Sequence, residues 1–230
     1  NNFKIIEKVD INKIKKFYIS YSLSERTRAF IKIQDGCNYS CSYCTIPLAR
    51  GKSRSFNVKE TISTIRKVVD QGFKEVVLSG INIGDFGVNY NENLEMLLKE
   101  IENINGLKRY RISSIEPNLI SDDILDIISS SKKALPHFHI PLQSGSDTIL
   151  SKMKRRYTVN EYKQVISSII NKIQNVSIGI DVIVGFPGET NEDFEKTYNL
   201  LNQLNISYLH IFTYSKRNDT DASKMKFQIS

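Results

Sequence analysis

Six short apolar runs recur along residues 26–230, and each except the last leads into a stretch with helical apolar spacing. The runs are 29–34, 76–79, 110–113, 137–141, 178–185 and 208–212. The first helical stretch opens at Asn57 with Glu60 three residues on, and carries Val58, Ile62, Ile65, Val68 and Val69. Gly72 ends it. The second carries Leu94, Leu97, Leu98, Ile101 and Ile104, and closes at Gly106. Ser121 opens a short third. Thr158 with Glu161 makes a capping box for the fourth, and Thr190 caps the fifth. Strands alternating with helices predict parallel βα units. Right-handed crossovers wind such units into one α/β domain, a parallel (β/α)6 barrel, open or closed. Barrels of this kind carry their functional residues at the C-terminal strand ends. Cys37, Gly80, Glu116, Gln143, the 185–189 turn and Tyr214 all fall there. Residues 1–25 are polar, lysine-rich and weakly periodic. They read as a linker or the remnant of an upstream domain, leaving 26–230 as the core.

The first strand runs straight into CNYSCSYC, which holds every cysteine of the chain: Cys37, Cys41 and Cys44. Three thiolates on one tight loop can hold three corners of a [4Fe–4S] cubane, which ordinarily takes four cysteines. The fourth iron is then open to a ligand. A zinc knuckle is the competing reading, but zinc sites complete a tetrahedron at a second short spacing. His137, His139 and His210 lie more than ninety residues away and form no such pair. His137 and His139 share one strand face and read as barrel packing. Disulfides favour cysteine-dense secreted chains with even counts.

The chain has 230 residues, 32 basic and 25 acidic, for a net charge of +7. That excess permits a polyanionic partner without requiring one. No apolar stretch is long enough to span a membrane, and no signal sequence opens the chain. A thiolate cluster in a cysteine-poor chain predicts a reducing, cytoplasmic location.

The spacing CxxxCxxC, with Tyr43 before the last cysteine, resembles the signature of radical S-adenosylmethionine (SAM) enzymes. The longer runs KIQDGCNYSCSYCTIPLARGKSRS, SSIEP, HIPLQSGSDTILSKMKRRYT, DVIVGFPGET and HIFTYSKR resemble the methylthiotransferase family over residues 26–228. The SSIEP and HIPLQSG forms are most similar to the branch that acts on threonylcarbamoyl-adenosine in tRNA. The resemblance implies a radical SAM core folded as a partial TIM barrel, with a [4Fe–4S] cluster and SAM as cofactors. It implies Tyr43 against the adenine, through its backbone or ring, or else a ring packed beside the cluster. Gly80 would meet the cofactor's amino group, though a strand-end glycine is by default a turn residue. Glu116 and Gln143 would bond ribose hydroxyls. Arg155 would pair with the cofactor carboxylate or ribose, with Arg156 as its competitor or facing RNA. Asp181 would reach the ribose or pair within the barrel.

Arg50, Lys52, Arg54, Arg156, Lys216 and Arg217 would share the cluster's rim and take RNA phosphates, or else form a solvated charged face. The resemblance implies a tRNA anticodon stem-loop as substrate and a flavodoxin or ferredoxin as electron donor. It also implies an auxiliary-cluster domain and an RNA-binding domain in a longer chain. The alternatives are the isopentenyl-adenosine branch, a ribosomal-protein methylthiotransferase and, from another class, a zinc-containing RNA-binding module.

Overall fold

The computed structural model describes residues 11, 16–22 and 27–229. Its strands are β1 (Ser20–Ser22), β2 (Ala29–Lys32), β3 (Gln34–Asp35), β4 (Arg54–Ser55), β5 (Glu75–Ser79), β6 (Arg109–Ile112), β7 (His137–His139), β8 (Ser177–Val184) and β9 (Tyr208–Thr213). Its helices are α1 (Ile46–Arg50), α2 (Val58–Asp70), α3 (Leu94–Glu102), α4 (Asp122–Ser130), α5 (Asp147–Lys152), α6 (Val159–Lys172) and α7 (Asn191–Gln203).

The expected parallel order is present. β2, β5 and β6 pair in parallel, as do β7, β8 and β9. Parallel bridges from Tyr110 to Ala134 and from Ser114 to His139 join the two groups into one curved wall. Among the described residues β9 pairs only with β8, so the barrel is open. The other edge is covered by β1, antiparallel to β2. Residues 16–22 therefore take part in the fold, and Phe17 is buried with its ring 5.3 Å from Phe56.

The helices start where their caps predict. Asn57 accepts from the Glu60 N–H at 2.8 Å, and the Thr158–Glu161 capping box is complete. Thr190 forms a second box with Asp193. Alternation along the strands divides the wall into two faces. Ala29, Ile31, Val76, Leu78, Ile112, Phe138, Ile178, Ile180 and Val182 face the helices in one core with Ile65, Leu97 and Ile166. Each of these side chains except Ala29 contributes about 1.5–3 kcal/mol by leaving water. The lumen face is more polar, although Val77 and Ile183 also lie on it. It carries Arg111, His137, His139, Asp181, Tyr208 and His210, and the first of these lies 3.8 Å from Glu75.

Candidate active site at the strand ends

The cysteine loop is held from three directions. Gly36 begins it at φ +75°, and a Cβ there would come within 2.2 Å of the Lys52 carbonyl oxygen, so glycine is required. The Cys37 N–H donates to the Gly51 carbonyl at 3.1 Å. Ser42 bonds the Lys152 and Met153 carbonyls through its hydroxyl and N–H. Its own carbonyl accepts from the Ala222 N–H at 2.8 Å. Beneath the loop lies Gln34, which sequence reasoning missed. Its Oε1 accepts from the Ile81 and Asn82 N–H groups at 2.9 and 3.0 Å. Its Nε2 donates to the Gly36 carbonyl and the Ser53 hydroxyl, each at 2.8 Å. One buried amide thus ties the cysteine loop to the end of β5. Gly80 makes room for it, since a Cβ there would stand 2.8 Å from Gln34 Oε1.

Every cysteine sulfur has an N–H donor. Tyr39 N–H points at Cys37 Sγ (3.3 Å), Ile46 N–H at Cys44 Sγ (3.5 Å) and Arg155 Nη1 at Cys41 Sγ (3.2 Å). Such donors disperse the charge on cluster sulfurs. Burial pushes the Cys37 thiol up to about 11; the Tyr39 N–H opposes this, while Asp85, Cys41 and Cys44 add to it. Burial also raises Cys44. Three thiols so placed become thiolates when cationic metal supplies the balancing charge. Three thiolates can hold three irons of a cubane and leave the fourth open, so the donor set fits the cluster.

Arg155 is the hub between the loop and the barrel. It comes from the turn after α5, and its side chain is 3% exposed. It pairs with Glu116, and its Nε donates to the Tyr157 hydroxyl at 3.1 Å. That hydroxyl in turn donates to the Pro141 and Leu142 carbonyls. Burial works against the Arg155 charge, but the oxygens of Tyr157, Tyr43 and Glu116 and the Cys41 sulfur outweigh it. The guanidinium stays cationic beside the sulfurs. Burial pushes the Glu116 carboxyl up against the pull of Arg155.

A pocket of about 270 Å³ opens between the loop and the last two strands, lined by Tyr43, Gln143, Asp181, Ile183, Tyr214 and Arg217 among others. Tyr43 packs edge-on to Phe186, whose ring meets Tyr214. Gln143 sits at φ +68°, unusual for a residue with a side chain, and its buried Oε1 has no partner. Tyr214 Oη is likewise buried and unpartnered. Asp181 Oδ1 accepts from His139 Nε2 at 2.9 Å and His210 Nδ1 at 3.1 Å. Burial pushes the Asp181 carboxyl up, but these histidine contacts outweigh it and hold the carboxyl below its usual range. Sequence reasoning left His139 as packing and gave His210 no role. The strand register that brings them together is not readable one strand at a time.

Tyr43, Gln143 and Asp181 therefore converge on one pocket, while Glu116 and Arg155 converge on the cysteines. The basic residues divide. Arg54 turns inward, its side chain 11% exposed, to pair with buried Asp35 at 2.9 Å. Arg50 also reaches Asp35, at 3.3 Å, but half of it stays in solvent. Arg156 lies over the Tyr39 ring at 3.9 Å and bonds the Asn38 carbonyl. Lys52, Lys216 and Arg217 are exposed.

Comparison with known proteins bears on this arrangement. The model of the Radical SAM superfamily matches residues 31–201. The chain is 43% identical, over 90% of its length and 47% of the relative's, to a protein of Bacillus subtilis named threonylcarbamoyladenosine tRNA methylthiotransferase MtaB. It is 45% identical to the Aquifex aeolicus protein of the same name, over 88% of the chain and 49% of that relative. The chain thus spans about half the length of these curated relatives. Among solved structures, the radical S-adenosylmethionine methyltransferase TsrM from Kitasatospora setae, with cobalamin and a [4Fe-4S] cluster bound, superposes with a TM-score of 0.71. The match has 16% identity and covers 84% of this chain and 38% of that one. At that identity it shows a shared fold.

Proposed function

The chain belongs to the radical SAM superfamily, and from that premise we propose that it is the SAM-cleaving core of a tRNA methylthiotransferase. The target is threonylcarbamoyl-adenosine next to the anticodon, which the intact protein methylthiolates at C2. The observation that carries the reading is the three-sulfur loop with an N–H donor on each sulfur, facing the strand-end pocket. The MtaB relatives supply the substrate class.

Cys37, Cys41 and Cys44 would hold the cluster, which when bound supplies the electron that breaks the sulfonium bond of SAM. The protein's part is binding and orientation. Arg155, its guanidinium fixed by Glu116, would pair with the cofactor carboxylate or ribose. Gln143 offers its free Oε1 to a ribose hydroxyl. Tyr43 and Phe186 form an aromatic wall suited to a base. Asp181 lines the same pocket and would face the ribose. Gly80 contributes through the room it leaves for Gln34. Arg50, Lys52, Arg156, Lys216 and Arg217 would contact the anticodon stem-loop, and Arg54 would support them from beneath. A flavodoxin or ferredoxin would deliver the electron. The work belongs in the cytoplasm, where thiolates stay reduced. No helix among the described residues is long and apolar enough to cross a membrane.

The test is mass spectrometry of tRNA nucleosides from cells lacking the full-length gene and from complemented cells. Loss of the methylthio group from threonylcarbamoyl-adenosine, restored on complementation, is expected. Loss from isopentenyl-adenosine instead moves the chain to the sister branch. Unchanged tRNA with an unmodified ribosomal protein overturns RNA as substrate.

A further inference from the structure

Three polar side chains meet on the lumen face of β7, β8 and β9. The register brings them there. Asp181 on β8 lies opposite His210 on β9, and His139 on β7 pairs with Gly179, two residues earlier on β8. The Nε2 of His139 and the Nδ1 of His210 approach the same oxygen, Asp181 Oδ1, at 2.9 and 3.1 Å. All three atoms lie within 4.8 Å of one another.

We propose that His139, Asp181 and His210 form a binding site for one divalent transition cation of the zinc class, separate from the three cysteines. Two imidazole nitrogens and one carboxylate oxygen are a donor set that such ions prefer over magnesium or calcium. Bonds of about 2.0–2.1 Å to a tetrahedral ion hold ligand atoms roughly 3.3 Å apart. The two spacings to Oδ1 need to open by only a few tenths of an ångström, and the two nitrogens already lie within 4.8 Å of each other. The cation takes the place of the N–H proton directed at Oδ1 on each ring, and a neutral imidazole then carries its proton on the other ring nitrogen.

The site is built rather than incidental. The Tyr208 ring stacks on the His139 imidazole with planes 7° apart. It does so by lying over Gly179, where a Cβ would come within 2.0 Å of the ring. Glycine at 179 thus permits the stack that fixes His139. The third ligand stays adjustable, because the His210 side chain is 53% exposed.

Three protein ligands leave a coordination position open, the arrangement of catalytic rather than structural zinc. Asp181 also lines the 270 Å³ pocket, together with Gln143 and Tyr214, whose buried Oε1 and Oη lack partners. Unpartnered polar atoms in the same walls mark a space meant for a ligand. A cation on Asp181 would offer its open position to an oxygen, nitrogen or sulfur atom of the pocket's occupant. The inference stands apart from the methylthiotransferase reading, since it concerns metal binding by the chain alone.

Equilibrium dialysis against Zn²⁺ tests it, on a chain carrying Cys37→Ser, Cys41→Ser and Cys44→Ser so that no thiolate competes. One zinc per chain is expected. His210→Ala and Asp181→Asn should each weaken binding by about 100-fold or more, and Asp221→Asn, at an exposed ion pair, should leave it unchanged. No bound zinc, or zinc that survives both substitutions, overturns the proposal and leaves a hydrogen-bonded triad. If circular dichroism shows that the cysteine-free chain does not fold, the unaltered chain is titrated with Co²⁺. Cobalt on thiolates gives a sulfur charge-transfer band, and cobalt on nitrogen and oxygen does not. A sulfur-free component that His210→Ala removes supports the site; a titration with only the thiolate component overturns it.

Discussion

Two buried glutamines mark two kinds of rim on this barrel. Gln34, beneath the cysteine loop, uses both ends of its amide on neighbouring backbone and Ser53. Gln143, across the barrel beside β8, is also buried but leaves its Oε1 without a partner and holds a left-handed backbone. On the first side Gln34, Asp35 and Arg155 tie the loop to the barrel by bonds made within the chain, although Asn82 and Asp85 there also keep a buried polar atom without a partner. The second side is incomplete until something enters the 270 Å³ pocket. A radical enzyme benefits from that division. Its metal ligands must not wander, while its pocket must admit and release a cofactor.

The strongest way to break the contrast is at Arg155. Arg155→Ala leaves Glu116 buried without its counter-charge and should destabilise the chain by about 3–5 kcal/mol. Urea unfolding measures this. Arg155→Lys should recover only part, because an ammonium cannot form the fork. A loss under about 1 kcal/mol, as for an exposed pair, would mean that the loop side is not locked.

Next come the two glutamines themselves. Gln34→Ala strands two N–H groups and should cost about 3 kcal/mol. Gln143→Ala should cost less than about 1 kcal/mol, since no bond is lost, yet weaken SAM binding about tenfold for one lost hydrogen bond. Equal destabilisation by the two would erase the distinction.

Much of the scaffold is legible in the sequence and little of this asymmetry is. Apolar alternation and caps locate the parallel strands and the long helices, because Asn57, Ser121, Thr158 and Thr190 signal their own helix starts. The short elements escape. β1 lies in a polar stretch, and α5 covers only Asp147–Lys152. α1 begins at Thr45 without a side-chain cap bond. Cys37, Cys41 and Cys44 announce themselves by local spacing. Gln34, His139 and His210 do not, because their partners at Ile81 and Asp181 lie 29 or more residues away in the chain. Arg54 looks like a phosphate contact from sequence, but burial of Asp35 one strand away redirects it.

The pocket side also carries a pH signature. Asp181 is held below the usual carboxylate range, so its ionised form favours the folded chain. That contribution is present above the ordinary aspartate value, about 3.9, and is lost as pH falls through the depressed one. Asp181→Asn should therefore be less stable near neutrality and show a shallower loss on acidification. An acid limb as steep as that of the parent would show that the histidine contacts do not persist in solution.

The smallest effect is a control. Asn57→Ala and Thr190→Ala remove caps on α2 and α7, one on each side, and each should cost about 1 kcal/mol by urea unfolding. Values that differ by more than about 1 kcal/mol would place the asymmetry in the helical shell rather than in the lumen.

Most direct is the metal content of the anaerobically purified chain, read together with SAM cleavage. A brown protein with about four iron and four sulfide per chain that forms 5′-deoxyadenosine when reduced is expected. Colour and product should both vanish when Cys37, Cys41 or Cys44 is replaced by alanine. A colourless chain with zinc on those cysteines, or a cysteine variant that keeps full iron and full cleavage, would contradict that expectation.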